Sequence, residues 1–317
     1  MQNFLDFEKP LLEISSKIEE LRLLKDDSKN IANELSLLQE KYDKVQFEIY
    51  SKLTPWQKVK VCRHQDRPKF GNYVDYIFKD FTSLSGDRYF SEDYSIQGGL
   101  ADFDGKTVIV IGNDKGHDID SRVKNNFGMA KPEGYRKAIR LMKIADKFNF
   151  PVITFIDTPG AFPGVDAEDR GQSIAIANSI KCCLEISVPI FSFIVGEGGS
   201  GGAIALATGN KVVMLEHSIY SVISPEGCAS ILWRDSELAD KAANSLKLTS
   251  EDLSELKIID QIISEPTGGA HTNINETCES IKKHIFEFMQ DYENKSRDEI
   301  IQQRKEKFLE IGKIFLI

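Results

Sequence analysis

The feature that most constrains the fold of this chain is a glycine-rich stretch at residues 196–202, in which five of seven residues are glycine. An apolar run at residues 188–195 precedes it and predicts a buried strand, and small apolar residues at 203–207 predict the start of a packed helix. A glycine loop between a strand and a helix aims backbone N–H groups and the positive end of the helix dipole at an anion. We therefore expect an anion-binding loop, because five glycines exceed what a plain turn needs.

A dinucleotide-binding motif is one interpretation of this stretch. Gly196, Gly198 and Gly201 fit the pattern G-x-G-x-x-G, and Glu216 follows at the spacing of the acidic residue that binds a ribose. Against it, only about eight residues separate the stretch from the next predicted strand, and a crossover helix usually needs about ten or more.

Two further interpretations concern catalysis. The stretch fits the nucleophile elbow G-x-S-x-G, with Ser200 as nucleophile and Asp260 and His271 following in the order of a hydrolase. Alternatively, no side chain is the nucleophile, and the N–H groups of Gly201 and Gly202 stabilise a developing enolate oxygen. The residues of the stretch alone leave all three interpretations open.

Composition argues against several classes of protein. The chain has 317 residues and a formal net charge of −9, which argues against nonspecific nucleic-acid binding. No apolar run approaches about 18 residues, so we expect no membrane span, and the acidic first residues lack the apolar core of a signal peptide. Five cysteines without a C-x-x-C pair predict neither a disulfide framework nor a zinc ribbon. We expect a protein of a reducing compartment, with no metal in this chain.

The apolar pattern elsewhere predicts an α/β protein with helical arms at both ends. The first arm, residues 1–50, is expected to form two amphipathic helices that pack on the body or on a partner subunit, or that remain solvated. Asp104-Gly105 predicts a β-hairpin. We further expect strands at 151–156, 188–195, 211–215 and 258–263, helices ending at Phe81 and at 135–148, 166–184, 275–291 and 296–311, and a long polar loop at 113–126 that could be mobile.

Two predicted loops share one edge of the sheet. Residues 157–164, rich in glycine and proline, follow one buried strand, and the glycine-rich stretch follows the next. Ligands of open α/β sheets bind at the carboxyl ends of the strands. We therefore expect the site where these two loops meet.

Taken together, these stretches resemble the alpha subunit of bacterial and plastid acetyl-CoA carboxylase carboxyltransferase. The match is weakest in the charged residues 25–45 and in the last twenty or so residues. The resemblance implies a crotonase-like fold, in which stacked ββα turns form a spiral with helices outside. The matching segments cover nearly the whole chain in order, at residues 3–8, 126–129, 132–138, 157–164, 196–202, 221–230 and 265–271.

The resemblance also implies a reaction and partners. The family transfers a carboxyl group from carboxybiotin, held on a biotin carboxyl carrier protein, to acetyl-CoA. The product is malonyl-CoA, and this is the first committed step of fatty-acid synthesis. The enzyme is an α2β2 assembly whose β subunit supplies a zinc ribbon and most of the CoA site, and ATP is used by a partner biotin carboxylase. The implied location is the bacterial cytoplasm or a plastid stroma.

The resemblance assigns catalysis to backbone amides. Gly201 and Gly202 would stabilise the biotin-derived oxyanion, Ser200 would be a small spacer, and no side-chain base would be needed. The implied domains are a helical arm at 1–50, a carboxyltransferase domain at 51–291 and a C-terminal helix at 292–317. The rest of the implied substrate site is Gly198 and Gly199, which shape the loop, and Gly160 and Ala161, which line the facing wall.

Overall fold

A mixed β-sheet forms the centre of the computed structural model, which describes residues 3–23 and 29–313. Within these residues the sheet has eight strands in the order β1-β2-β3-β4-β5-β6-β8, and β7 pairs with β5. The pairs β1–β2 and β2–β3 are antiparallel and the others are parallel. The strands are β1 (Lys79–Ser83), β2 (Ile96–Phe103), β3 (Lys106–Asn113), β4 (Val152–Thr158), β5 (Ile190–Gly199), β6 (Lys211–Leu215), β7 (Ile219–Ser221) and β8 (Gln261–Ile263).

Helices cover both faces of this sheet, which confirms the predicted α/β class. Both faces of the central strands are buried, and this explains why their sequences are continuous apolar runs. The helices are α1 (Lys9–Leu23), α2 (Lys29–Tyr50), α3 (Pro55–Cys62), α4 (Phe70–Ile77), α5 (Ile119–Lys124), α6 (Pro132–Phe148), α7 (Val165–Asp169), α8 (Gln172–Glu185), α9 (Ser200–Ala207), α10 (Pro225–Trp233), α11 (Ala239–Ser245), α12 (Ser250–Glu255), α13 (Ile274–Tyr292) and α14 (Arg297–Glu310).

The predicted hairpin joins β2 and β3. Asp104 and Gly105 both have positive φ, 54° and 80°, and a two-residue hairpin turn of the favoured hand requires this. The two terminal helices α13 and α14 confirm the predicted C-terminal arm, within one residue at each boundary. The N-terminal helices are also confirmed, although most of the predicted break at residues 26–30 lies outside the described residues.

The N-terminal arm is packed rather than solvated. Helix α1 buries Leu11, Ile14 and Ile18. The Tyr50 hydroxyl donates a hydrogen bond of 2.8 Å to the buried Glu8 carboxylate. The Tyr50 ring also lies 5.7 Å from the His217 ring, and Lys60 pairs with Asp6 at 2.5 Å, so the base of the arm packs on the body rather than remaining solvated.

Several element boundaries differ from the predictions. The loop at 113–126 contains α5, because the Asp118 carboxylate accepts the Ser121 N–H at 2.8 Å and caps a helix start. The single helix predicted at 166–184 is divided into α7 and α8 by Gly171, whose φ of 82° no α-helix accepts.

The elements predicted at the two edges of the sheet also differ from those observed. The helix expected to end at Phe81 ends at Ile77, and β1 follows, pairing with β2. The strand predicted at 258–263 is only the three residues of β8, and α12, which precedes it, was not predicted. Short edge elements carry too few residues for a clear period, so their type is decided by tertiary pairing.

Candidate active site

The glycine-rich stretch is half strand and half helix rather than a loop. Strand β5 continues to Gly199, because Glu197, Gly198 and Gly199 pair in parallel with β7. Helix α9 begins at once with Ser200. The prediction of a loop at residues 196–202 was therefore wrong, and the N-terminus of α9 lies three residues earlier than expected.

Two glycines of the stretch are required by close packing on the loop after β4. A Cβ atom on Gly199 would lie 2.2 Å from the Pro159 carbonyl oxygen. A Cβ atom on Gly202 would lie 2.8 Å from the Gly160 carbonyl carbon and 2.9 Å from the Ala161 nitrogen. The structure thus brings Gly160 and Ala161 directly against the start of α9.

Two other glycines have different environments. A Cβ atom on Gly201 would meet only Ile176 of α8, at 3.5 Å, which is an ordinary van der Waals contact. A Cβ atom on Gly198 would lie 2.8 Å from the Tyr220 ring. Gly201 is therefore not a close-approach glycine, whereas Gly198 fixes the spacing between β5 and β7.

An apolar cavity of about 390 Å³ opens at the start of α9. Ser200 and Gly201 form one part of its wall, and Lys247 is the one charged group among the residues that line it. The apolar lining includes Ile204, Tyr220, Val222, Leu253, Leu256 and Ile258. A negative charge next to this wall would meet few other charges.

Two backbone amides, those of Gly201 and Gly202, lie at the start of α9; Gly201 lines the cavity, whereas Gly202 is buried against the facing wall. They belong to the first turn of α9, whose N–H groups have no partner within the helix. In residues 3–23 and 29–313, neither amide donates a hydrogen bond to a side chain or to the backbone carbonyl of a turn, loop or helix cap. Ser200, immediately before them, has a φ of 52°, a left-handed conformation that is uncommon for serine.

The facing wall differs, because its backbone is already hydrogen-bonded. The Gly160 N–H donates to the Thr158 hydroxyl oxygen at 3.1 Å, and that hydroxyl donates to the Gly160 carbonyl at 2.7 Å. The Phe162 N–H donates to the Ala130 carbonyl at 3.0 Å. These bonds hold the loop rigid against Gly202 but leave the Gly160 amide unavailable to a ligand.

A buried network of ion pairs holds the glycine-rich stretch in place through Glu197. The Lys115 ammonium lies 2.7 Å from Asp157 and 2.6 Å from Glu197, and Arg63 pairs with Glu197 at 2.6 Å and with Glu226 at 2.5 Å. Burial alone would raise the pKa of Glu197, but Lys115 and Arg63 outweigh it and hold this pKa at about 2. Glu197 is thus an anion at neutral pH, and it ties the ends of β4 and β5 together.

Two backbone contacts complete this support. The Glu197 N–H donates to the Asp157 carboxylate at 2.9 Å. A Cβ atom on Gly196 would lie 2.2 Å from that same carboxylate, so only glycine fits there. The Arg67 guanidinium, fully buried, donates to the Val195 carbonyl at 2.8 Å and forms a bidentate pair with Glu265.

These charged residues were not predicted as parts of the site. Glu197 lies inside the glycine-rich stretch and Asp157 is the first residue of the loop predicted at 157–164, so their positions were the available signal. Arg63, Arg67 and Lys115 come from segments that no local pattern connects to the stretch.

The hydrolase interpretation is wrong, because its residues do not meet. The Asp260 carboxylate accepts the Val212 N–H at 2.6 Å and pairs with Lys307. The His271 ring stacks on His64 with 3.8 Å between ring centroids. In the described part of the chain, no hydrogen bond joins Ser200 to either residue.

The dinucleotide interpretation also fails on geometry. That fingerprint requires its first glycines in a tight turn between strand and helix. Here Gly196 and Gly198 lie within β5, and Gly198 pairs with Tyr220. The Glu216 carboxylate accepts the Glu265 N–H at 3.1 Å.

The described ranges contain no cluster of three or more histidine, cysteine or acidic residues that could hold a metal ion. No described helix combines the length and the apolar character needed to cross a membrane. The five cysteines are all buried and free.

Known structures share this fold at low sequence identity. A transcarboxylase 12S structure superposes with a TM-score of 0.59 and 16% identity, over 73% of this chain and 43% of the other. A Pseudomonas malonate decarboxylase hetero-tetramer in complex with coenzyme A gives a TM-score of 0.58 and 15% identity, over 75% of this chain and 92% of the other. The core thus has the crotonase-like fold of carboxyltransferases, as expected from the resemblance.

Sequence comparison is more specific. Two curated relatives are named acetyl-coenzyme A carboxylase carboxyl transferase subunit alpha. That of Paramagnetospirillum magneticum is 55% identical over 98% of both chains, and that of Agrobacterium fabrum is 53% identical over 99% of both. A family model described as acetyl co-enzyme A carboxylase carboxyltransferase-like matches residues 4–312. This chain therefore belongs to the acetyl-CoA carboxylase carboxyltransferase alpha family.

Proposed function

We propose that this chain is the alpha subunit of an acetyl-CoA carboxylase carboxyltransferase, and that Gly201 and Gly202 stabilise negative charge during carboxyl transfer. The observation that carries this proposal is the start of α9, where Gly201, whose amide has no partner within the helix, lines the apolar cavity. The name of the relatives supports the reaction that we propose, which is transfer of a carboxyl group from carboxybiotin to acetyl-CoA to give malonyl-CoA.

The chemistry needs hydrogen-bond donors rather than a side-chain nucleophile. Carboxybiotin, when bound, supplies the carboxyl group, and its release leaves negative charge on an oxygen. A fixed N–H donor that meets such an oxygen in a dry site contributes about 3 kcal/mol, or roughly 10²–10³ in rate. The residues of this chain would therefore act by keeping two amides fixed and water excluded.

The cavity has the chemical character that this ligand requires. A neutral bicyclic ring fits a mostly apolar wall, whose polar groups are the edge formed by Ser200 and Gly201 together with Ser221 and Lys247. Gly198 and Gly199 would set the position of that edge. Gly160 and Ala161 would form a rigid wall opposite Gly202 and would not themselves need to donate to the substrate.

A second subunit would complete the site. Val222 at the cavity is 80% exposed, and Ile231 and Leu232 on α10, the next helix along the chain, are also exposed. We propose that these exposed apolar residues meet the β subunit in an α2β2 enzyme and that the β subunit provides most of the CoA site. The carrier protein would bring carboxybiotin, and the partner biotin carboxylase would use ATP. The compartment would be a bacterial cytoplasm or a plastid stroma.

The test distinguishes the effect of losing the Gly201 N–H group from the effect of adding a side chain at that position. Gly201→Ala adds a Cβ atom that fits against Ile176 and keeps the N–H group, whereas Gly201→Pro adds a similar Cβ atom and removes it. Proline is tolerated in the first turn of a helix, so both variants should assemble with the β subunit. The assay measures malonyl-CoA formation from acetyl-CoA and carboxybiotin by the purified α–β complex.

The expected results differ by two orders of magnitude or more. Gly201→Ala should retain activity within a few-fold, and Gly201→Pro should lose roughly 10²–10³ in kcat. Co-purification and the thermal midpoint of each complex show whether it is assembled and folded. If an assembled Gly201→Pro complex had the activity of Gly201→Ala, the Gly201 amide would have no catalytic role.

A further inference from the structure

A second cavity lies at the same carboxyl edge of the sheet, next to Pro159 and Glu197. Its volume is about 240 Å³. Unlike the apolar cavity at α9, it is lined largely by charged groups: Arg63, Lys69, Lys115, Arg122 and Glu197. We call it the cationic pocket.

Two of its four cations are already neutralised. Lys115 is held between Asp157 and Glu197, and Arg63 pairs with Glu197 and with the half-exposed Glu226. These groups therefore serve mainly to hold the ends of β4 and β5 together. They leave little charge to attract a ligand.

The other two cations have no such partner. Lys69 is only 7% exposed, and Arg122 is half-buried on α5. Among the described residues, neither side chain forms an ion pair or a hydrogen bond. The Lys69 ammonium keeps some contact with solvent, but most of its side chain is buried and no carboxylate replaces the hydration that is lost, which is costly.

The surroundings of Lys69 increase this cost. Burial lowers the pKa of Lys69, and although Asp157 opposes this effect, Lys115, Arg67 and Arg122 add to it by repulsion. The ammonium is therefore next to several cations and one carboxylate that Lys115 already occupies. Such an arrangement gains most from an added anion.

We propose that the cationic pocket binds a phosphate group, with Lys69 and Arg122 as its principal ligands. Two unpaired positive charges match the charge of a phosphate dianion, and tetrahedral oxygens accept from an ammonium and a guanidinium in different directions. The volume exceeds that of one phosphate, so the group can be a free ion or part of a larger molecule such as CoA.

The experiment measures thermal stability and affinity on the full chain, in buffer free of phosphate and at constant ionic strength. The probes are inorganic phosphate, CoA and the phosphate-free compound pantetheine. The variants are Lys69→Met and Arg122→Gln. Lys143→Met, an exposed position on α6, is the matched control because it removes the same charge.

Phosphate should raise the thermal midpoint of the wild type and of Lys143→Met alike. It should bind Lys69→Met at least tenfold more weakly and should not stabilise that variant. Without phosphate, Lys69→Met should melt above the wild type, because it removes an unpaired buried charge. This last result requires no ligand and distinguishes a phosphate site from a structural lysine.

The three probes identify the source of the phosphate. Stabilisation by inorganic phosphate would indicate a free ion, and stabilisation by CoA but not by phosphate or pantetheine would indicate the phosphate groups of CoA. Either result supports the site if Lys69→Met abolishes it. Equal stabilisation of all variants, or none by any probe, would overturn the proposal. None of these measurements depends on carboxyl transfer.

Discussion

The two cavities beside the glycine-rich stretch offer a ligand opposite kinds of contact. The cavity at α9 has apolar walls with the Gly201 backbone at one edge, whereas the cationic pocket is lined by charged side chains. An amide needs no counter-ion and keeps its partial charge at every pH, but it must be fixed within a fraction of an ångström. A charged side chain attracts an anion over a longer distance, but burying it is costly. At one edge of the sheet, therefore, one cavity offers a precisely placed amide and the other offers charges that attract an anion from a distance.

Among the variants that follow, the largest effect should come from Gly202→Ala, which tests how precisely the start of α9 must be placed. The added Cβ atom would press on the backbone of Gly160 and Ala161, at 2.8 and 2.9 Å, and neither backbone can rotate away. The start of α9 would have to move. A misplacement of about 1 Å can cost roughly 10²-fold in rate, and overpacking costs about 1–3 kcal/mol. Malonyl-CoA formation by the α–β complex and the free energy of unfolding measure the two effects.

Gly201→Ala is the matched control for this prediction. Its Cβ atom meets Ile176 at an ordinary distance, so activity and stability should stay close to those of the wild type. Similar activity in the two alanine variants would show that the contact between α9 and the facing wall is not needed for catalysis.

The second effect concerns the charged side and should appear mainly in stability. Glu197→Gln removes a buried anion and leaves Arg63 without its buried partner, while Lys115 keeps Asp157. Breaking a buried pair in this way costs roughly 3 kcal/mol. Urea unfolding at neutral pH measures the loss, and Glu168→Gln, on an exposed residue of α7, provides the control.

The destabilisation caused by Glu197→Gln should diminish in acid. The pKa of Glu197 is held at about 2 in the folded chain, below the ordinary glutamate value of 4.5. Its contribution to stability is therefore fully present above about pH 4.5 and is lost as the pH falls towards 2. The difference between Glu197→Gln and the wild type should shrink over that range. A constant difference would mean that the carboxylate charge does not stabilise the fold.

The two cavities also differ in how far the sequence predicted them. The residues at the start of α9 were predicted because glycines cluster in sequence between two apolar runs. Even there, the extension of β5 to Gly199 was missed, since it depends on pairing with β7, which lies some twenty residues later in the chain. Local pattern indicates that glycines are needed, but tertiary pairing decides whether they form strand, loop or helix.

The cationic pocket could not be predicted, because its residues come from separate segments. Lys69 precedes α4, Arg122 lies on α5, and Lys115 follows β3. Each alone looks like a surface cation, and only the fold shows that Lys69 is buried. The long elements fared better: α6, α13 and α14 have clear helical periods, and β6 was predicted with its observed boundaries.

The smallest effect should come from Ser200→Ala, which asks whether the exposed hydroxyl at the apolar cavity belongs to the amide machinery. No catalytic partner contacts this hydroxyl among the described residues, and both Asp260 and His271 are occupied elsewhere. Loss of the hydroxyl should therefore change kcat by no more than about twofold, equivalent to roughly 0.5 kcal/mol. If Ser200 were the nucleophile, Ser200→Ala would instead lose nearly all activity.

Ser200→Val completes the comparison, because a β-branched residue tolerates the φ of 52° poorly and should displace the Gly201 amide. Carboxyl transfer should fall clearly in Ser200→Val and remain in Ser200→Ala, and equal losses in both would point to the hydroxyl itself.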